Sequence, residues 1–474
     1  MTDVVGELTA AHPFVRALGA AGPAGWERMT AVFALTTTAE IGDLCYTVGE
    51  KTVSVSPPEL VLVHARELRT RAATSGAGPW WRMLVSMNAS GAPEVDYDYG
   101  AEPFVEAHAL GPEAIRADLR EFPRPTVPVW LAAFAGHGDR QRRGPRQAAE
   151  QARADRESEV WAVLAENEFP PFPLLWSRWA TLAAAFVAVG SPRGPRMVPW
   201  TGVFEAATRG GSTLTALPAG RAVLSGGLWN DPTLSAVYNH GAPMPDLYAG
   251  APEWVAEPAL NSRATTGLLS FCYWWESGRW YRGQSPSAAR CADAVPGMWT
   301  ADTVADIVTR LSSAGSSDAG SDRPDRAVRE AVATLIAAAE LGAVTRDLLT
   351  ALFGDDGRCD IDGAYYQYSA AGLVSTVPEP MPSGQAISRV RDYVTGPGSD
   401  TAGDFLSELV AERFEVGWMV YAPVSDKPIA ADRTIFYLAD DGVLEHSSSA
   451  ITPADYIAEF ADRYAARQGR VPNG

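Results

Sequence analysis

The chain has 474 residues, more than one ordinary hydrophobic core accommodates, so two to four folded units are expected. Its 39 basic and 57 acidic side chains leave a formal net charge of −18. A surface of this sign repels phosphate backbones and anionic lipid, which disfavours direct binding of nucleic acid or membranes. The same charge favours a basic protein partner, or it serves only to keep the protein soluble.

The N-terminal stretch has no basic region followed by an apolar one, and no run of about 18 apolar residues occurs, so we expect neither a signal peptide nor a membrane-spanning helix. The cysteines, at positions 45, 272, 291 and 359, form no CxxC pattern, which disfavours a zinc site and a disulfide framework. We therefore expect a reduced, cytoplasmic protein.

Residues 1–137 predict a first α+β domain. Apolar alternation indicates strands, and proline at a first helical position indicates helix starts. Glycine in a short turn between two strands favours a hairpin. The predicted elements are strands at 26–35 and 43–48, a helix from the capping box Ser56–Glu59 to about Ala73, a hairpin of Trp81–Met87 and Glu94–Tyr99, and a helix from Pro112.

Residues 138–171 begin with a highly charged stretch and predict a solvated, partly helical linker. A second α+β domain is expected over residues 172–311. Its clearest signal is the hairpin of Leu269–Trp275 and Arg279–Gly283, followed by a helix after Trp299.

Residues 312–325 are rich in serine, glycine and aspartate and predict a flexible linker. Residues 326–474 then form the predicted C-terminal domain. Its hairpin joins Thr434–Leu438 to Val443–Ser447, and its last helix starts at Pro453.

The recurring hairpin-then-helix unit predicts an α+β fold of three tandem small domains, each an antiparallel sheet with helices packed on one face. An antiparallel sheet covered in this way keeps one face available for a partner.

The motifs of common catalytic sites are missing from the sequence. No HExxH, GxSxG or Walker A pattern occurs, and no two histidines have the spacing of a helical metal site. We therefore expect no catalytic residue, no metal site and no cofactor.

Candidate partner-binding residues come from acidic and aromatic clusters. Asp96 and Asp98 alternate in VDYDYG and so share one strand face, which is either an acidic docking face or a merely solvated one. The aromatic segment 271–282 suits core packing, a stacking platform or an interface hot spot. The candidates are Asp96, Tyr97, Asp98, Tyr99, Glu102, Trp280, Asp440 and Asp441.

The first domain resembles the YezG-like family of bacterial immunity proteins over about residues 5–135. The resemblance lies in Gly25-Trp26-Glu27-Arg28, in the helix LVLVHARELRTRAA and in the hairpin GPWWRMLVSMNASGAPEVDYDYG. The C-terminal domain is weakly similar to YrhB-like immunity domains, through Gly417–Tyr421, the hairpin TIFYLADDGVLEHSSS and Pro453–Tyr464.

These resemblances imply a protein without catalytic residues that protects against a secreted polymorphic toxin, often a nuclease, by binding and occluding it. The expected partner is a toxin domain with a basic surface. Two alternatives stay open: a peptide-binding chaperone or scaffold for secretion substrates, and an enzyme of unrecognised type.

Overall fold

The computed structural model describes residues 8–73, 78–104, 108–314, 326–354, 356–375, 380–395, 409–423, 434–448 and 451–467. Three antiparallel sheets with packed helices confirm the α+β fold. The chain divides into two compact units. The first holds residues 1–341 and 346–373, and the second holds residues 342–345 and 374–474.

The first sheet of unit one has five strands in the order β3-β2-β1-β4-β5. Helices α1 (Pro13–Ala21) and α2 (Glu59–Ala72) cover one face and bury Phe14, Leu18 and Leu68 against it. The predicted hairpin is confirmed, whereas β3 was not predicted. The strands are β1 (Arg28–Leu35), β2 (Glu40–Val48), β3 (Lys51–Val55), β4 (Arg82–Asn88) and β5 (Glu94–Asp98).

Helices α3 (Pro112–Glu121) and α4 (Val129–Gly136) close one end of the opposite face. Ala34, at the end of β1, joins Trp81, Ile115 and Leu131 in a buried cluster there. The same cluster packs against Trp229 of the chain that builds the second sheet. The first two predicted domains therefore share core contacts within one compact unit.

The predicted linker 138–171 contains α5 (Pro145–Glu157) and β6 (Val163–Leu164). Helix α5 is not solvated on all sides, because Ala148, Ala152 and Asp155 are buried. The Asp155 carboxylate accepts a hydrogen bond from the Gly250 amide at 2.7 Å. This part of the chain is packed structure, which corrects the linker interpretation.

The second sheet runs β6-β12-β11-β10-β9-β8-β7. Both faces of β11 are covered, as its apolar sequence predicted: Trp274 packs with Val255, and Tyr273 packs on Phe169 at 4.9 Å. Helices α6 (Phe172–Ala188), α7 (Pro232–His240) and α8 (Ala301–Ala314) belong to this part of the unit. Its further strands are β7 (Arg196–Val198), β8 (Thr201–Glu205), β9 (Gly211–Leu217), β10 (Arg221–Gly227), β11 (Phe271–Glu276) and β12 (Arg279–Arg282).

Helices α9 (Arg326–Glu340), α10 (Arg346–Phe353) and α11 (Ile361–Ala370) also belong to unit one, apart from the C-terminal sheet. Helix α6 packs against α9 and α11, and Trp176 of α6 donates a hydrogen bond to the Ala371 carbonyl at 2.9 Å. The helices that follow the predicted domain boundary at residue 325 therefore pack with the part of the chain that precedes it. Residues 312–314 of the predicted flexible linker end α8, and the remainder lies outside the described residues.

Unit two contains the third sheet, in the order β13-β14-β15-β16. Helix α12 (Ser383–Thr395) packs on Phe436 and Leu438, whereas α13 (Pro453–Arg467) packs on Tyr437 and Ala439 of the same strand. Because neighbouring residues point to opposite faces, this sheet has a helix on each face. Its strands are β13 (Val410–Phe414), β14 (Gly417–Tyr421), β15 (Thr434–Ala439) and β16 (Leu444–Ser448).

The predicted arrangement, with helices on one face of the sheet, therefore fits only the first sheet. The central strands of the second sheet and the whole arrangement of the third are covered on both faces. Over most of its strands, the first sheet keeps the face opposite α1 and α2 uncovered.

Candidate partner-binding surface

The uncovered face of the first sheet consists of the β-strand side chains that point away from α1 and α2. Met29, Ala31 and Phe33 pack beneath the helices, so the residues between them point outward. The cross-strand register extends this alternation into two outward rows. The rows, called the open face below, are Ser54–Cys45–Thr30–Ser86–Glu94 and Asp43–Val32–Leu84–Asp96.

The open face has an apolar centre and a polar rim. Val32 and Leu84, directly opposite each other at its middle, are half-buried, whereas Thr30, Glu94 and Asp96 are exposed. An apolar centre surrounded by polar groups is the usual anatomy of a protein-binding surface. The rows lie on paired strands, so the backbone beneath them is rigid.

The rim is acidic. Asp43 accepts a hydrogen bond from Ser54 Oγ at 3.1 Å, and Glu94 accepts one from Ser86 Oγ at 3.3 Å. Asp96 makes no hydrogen bond with any described residue. Within the described part of the chain, none of these three carboxylates has an ion-pair partner, so their negative charge is uncompensated at the surface.

Asp98 shares the outward direction of Asp96, as predicted, but its carboxylate is engaged inside the protein. Oδ2 accepts hydrogen bonds from Arg82 Nε at 2.8 Å and Nη2 at 2.5 Å, and Oδ1 accepts one from the Gly100 amide at 2.8 Å. The Arg82 guanidinium also stacks over the Phe104 ring at 4.9 Å. Asp98 therefore closes the end of the sheet and does not offer a free charge to a partner.

Tyr97 and Tyr99 lie on the inner side of the strand. Both pack against the core under α1 and α2, and the Tyr97 ring is 6.1 Å from the Trp80 ring. Burial raises the pKa of Tyr99. The aspartate–tyrosine alternation thus separates an outward Asp96 from inward tyrosines, which corrects the predicted binding role of the tyrosines.

Glu102 and Trp280 are also engaged within unit one. Glu102 forms an exposed ion pair with Arg209 at 2.6 Å. Trp280 is only 3% exposed, packs on Trp275, and donates a hydrogen bond to the Pro170 carbonyl at 2.7 Å. Of the alternatives for the aromatic segment, core packing is the one that describes Trp280, and a surface hot spot is excluded there.

Asp440 and Asp441 organise the hairpin turn of unit two. Asp440 accepts two hydrogen bonds from Arg413, at 2.7 and 2.6 Å, and a third from the Met381 amide at 2.8 Å. Asp441 accepts one from the Val443 amide at 3.1 Å. The side chain of Asp440 is 5% exposed, so its role is to hold the turn and the segment before α12.

Sequence reasoning missed most of the open face. Asp43, Val32 and Leu84 were not candidates, although their alternation with buried neighbours carried the signal. It also missed the buried ion pair between Arg69 Nη2 and Asp118 Oδ2, at 2.7 Å, which ties α2 to α3. Asp118 Oδ1 accepts a further hydrogen bond from the Thr37 amide at 3.0 Å, which fixes the β1–β2 turn.

A small cavity of about 180 Å³ lies beside the start of α7. Burial raises the pKa of Asp231 in its wall, but this carboxylate caps the helix by accepting from the Leu234 amide at 2.8 Å. Ser285, also in the wall, bonds both backbone groups of Cys272 at 2.9 Å. Both of these polar groups are therefore used to hold the fold.

No group of three or more histidine, cysteine, aspartate or glutamate side chains in the described ranges has the geometry of a metal site. Burial raises the pKa of the Cys291 thiol to about 12, so it stays protonated at neutral pH.

Among the helices that the structure describes, none has both the length and the apolar composition to cross a bilayer. No protein-family model and no curated protein sequence matches the chain. The resemblances to YezG-like and YrhB-like immunity proteins therefore stay predictions.

Proposed function

We propose that this protein is a non-catalytic immunity protein that binds a basic protein domain of the secreted-toxin class and occludes its active site with the open face. The observation that carries the proposal is the combination of an apolar centre at Val32 and Leu84 with three unpaired carboxylates around it. Such a surface needs no catalytic residues, because covering a toxin's active site is enough to inhibit the toxin.

Charge complementarity supports a basic partner. Asp43, Glu94 and Asp96 add local negative charge to a chain whose net charge is already −18. Opposite charges across an interface speed the encounter and suppress wrong partners more than they set final affinity. A toxin whose cationic groove binds nucleic acid presents the complementary sign.

The test screens secreted toxin domains with a basic surface from the native host, beginning with any that is encoded next to this gene. Co-expression with the intact protein is expected to restore growth, and the purified pair is expected to bind with an association rate that falls as salt rises. The double variant Glu94→Lys/Asp96→Lys is expected to slow association at least about tenfold, because it reverses two rim charges.

A matched control makes the same charge change elsewhere on unit one. Asp306→Lys/Glu257→Lys reverses two exposed carboxylates, one on α8, which packs against α6 and α9, and one near Val255 in the core of the second sheet. If both double variants slow association equally, only net charge matters and the open face is not the docking surface. If the toxin neither binds nor is neutralised, the proposed function is wrong.

A further inference from the structure

A second exposed surface lies at the edge of the second sheet. Four neighbouring apolar side chains, named the edge stripe here, face solvent around strand β6: Val160 (39% exposed), Trp161 (72%), Val163 (45%) and Leu164 (37%). Together they expose roughly 400 Å², with Val163 and Leu164 on opposite faces of the strand because successive side chains alternate.

The edge stripe is held in place by its surroundings. The Val160 amide donates to the Asp155 carbonyl at 2.8 Å, and the Ala165 amide donates to the Trp280 carbonyl at 2.9 Å. Gly250 packs so closely on the backbone of Trp161 and Ala162 that a Cβ there would lie 2.2 Å from the Ala162 nitrogen. The protein therefore presents these apolar groups on a fixed backbone, so little ordering entropy is lost on binding.

Strand β6 is the end strand of its sheet. It pairs with β12, through Leu164 opposite Tyr281 and Val163 opposite Arg282, and has no strand on its other side among the described residues. A sheet edge offers unpaired backbone groups to an added strand. Apolar side chains beside such an edge are the pockets and anchors that β-strand addition uses.

Charge and size distinguish the possible occupants. Exposed Glu159 and Glu166 stand at the two ends of the stripe and have no ion-pair partner in the described part of the chain. Pairing of two copies through this edge would bring the Glu159 and Glu166 carboxylates of both copies to one interface, where like charges repel. A stable interface between folded proteins needs about 800 Å² from each side, about twice what the stripe exposes.

We propose that the edge stripe binds an extended peptide segment with apolar side chains at alternate positions and a basic residue at each end, which adds as a strand to β6. This site is separate from the open face and does not depend on the proposed toxin binding.

The experiment measures binding of a fluorescent heptapeptide of alternating valine and threonine with lysine at each end, by anisotropy, to the full chain. A second peptide with glutamate at each end tests the charge preference. Trp161→Ala removes the main anchor, and because this side chain is 72% exposed the fold loses little packing. Trp200→Ala is the matched control, because Trp200 is 62% exposed elsewhere on unit one.

We expect the lysine peptide to bind, the glutamate peptide to bind at least about tenfold more weakly, and Trp161→Ala to weaken binding at least about tenfold. Trp200→Ala and Glu94→Lys/Asp96→Lys are expected to leave peptide binding unchanged. Absence of lysine-peptide binding, equal effects of the two tryptophan variants, or self-association of the chain that Trp161→Ala abolishes would each overturn the proposal. None of these results affects the toxin experiment.

Discussion

The buried ion pair between Arg69 and Asp118 provides a quantitative test of how the first sheet is held. Asp118→Ala removes a carboxylate that accepts from Arg69 at 2.7 Å and from the Thr37 amide at 3.0 Å. It leaves the guanidinium, with a side chain only 6% exposed, without its counter-charge. Breaking such a pair from one side costs about 3–5 kcal/mol, so we expect the free energy of unfolding of unit one to fall by about 4 kcal/mol.

Urea titration followed by circular dichroism measures the loss, and hydrogen exchange of peptides from α2 and β4 assigns it to the first sheet. The double variant Arg69→Met/Asp118→Leu removes both charges and keeps apolar volume. It is expected to recover at least about 2 kcal/mol relative to Asp118→Ala, because the Arg69 charge is no longer buried without its partner. A loss below about 1 kcal/mol for Asp118→Ala, or no recovery in the double variant, would refute the reasoning.

Two further predictions concern a helix cap and a close contact. His12 Nδ1 accepts the Phe14 amide at 3.2 Å at the start of α1, and burial, with Arg71 nearby, lowers the His12 pKa. The stability that this cap provides is present above the unfolded-state His pKa near 6.5 and is lost as the pH falls through the lowered folded-state pKa. Between pH 7 and 5, thermal melts are therefore expected to show a loss of unfolding free energy up to about 1 kcal/mol larger for the native chain than for His12→Asn. Equal losses would contradict the cap. Gly202→Ala places a Cβ 2.6 Å from Trp179 and is expected to lower the free energy of unfolding in urea by about 1–3 kcal/mol. The control Gly384→Ala, in an open helical position, is expected to be neutral or stabilising. Equal effects of the two variants would show that the strand shifts to accommodate the added Cβ.

The hairpins were predictable because their signals are local. Gly278 and Gly442 take positive φ values of 79° and 86° at the predicted turns, and the strands beside them are aromatic or β-branched. Strands β9 and β10, GSTLTAL and RAVLSGG, lack that composition and were missed. Burial in the middle of a seven-stranded sheet overrides their weak propensity.

The candidate site was predictable only in part. Strand alternation placed Asp96 and Asp98 on one face. It did not show that the register brings Arg82 opposite Asp98 and neutralises it, because that contact joins residues on different strands. Burial of Trp280 and Asp440 depends in the same way on distant parts of the chain. Composition predicted a linker at residues 312–325, but it does not show which core the next helices join.

The chain passes between the two compact units more than once. Residues 342–345 belong to unit two, where Val344 bridges to Val374, yet α10 and α11 return to unit one before the chain leaves it at residue 373. A shortened protein that stops at residue 325 therefore strips α9 and α11 from α6 and bares an apolar surface that favours aggregation. Truncations meant to isolate the unit that holds the open face should extend through residue 373, and a variant with α9–α11 fused to the C-terminal part alone would carry three helices whose apolar surface has lost its partner α6.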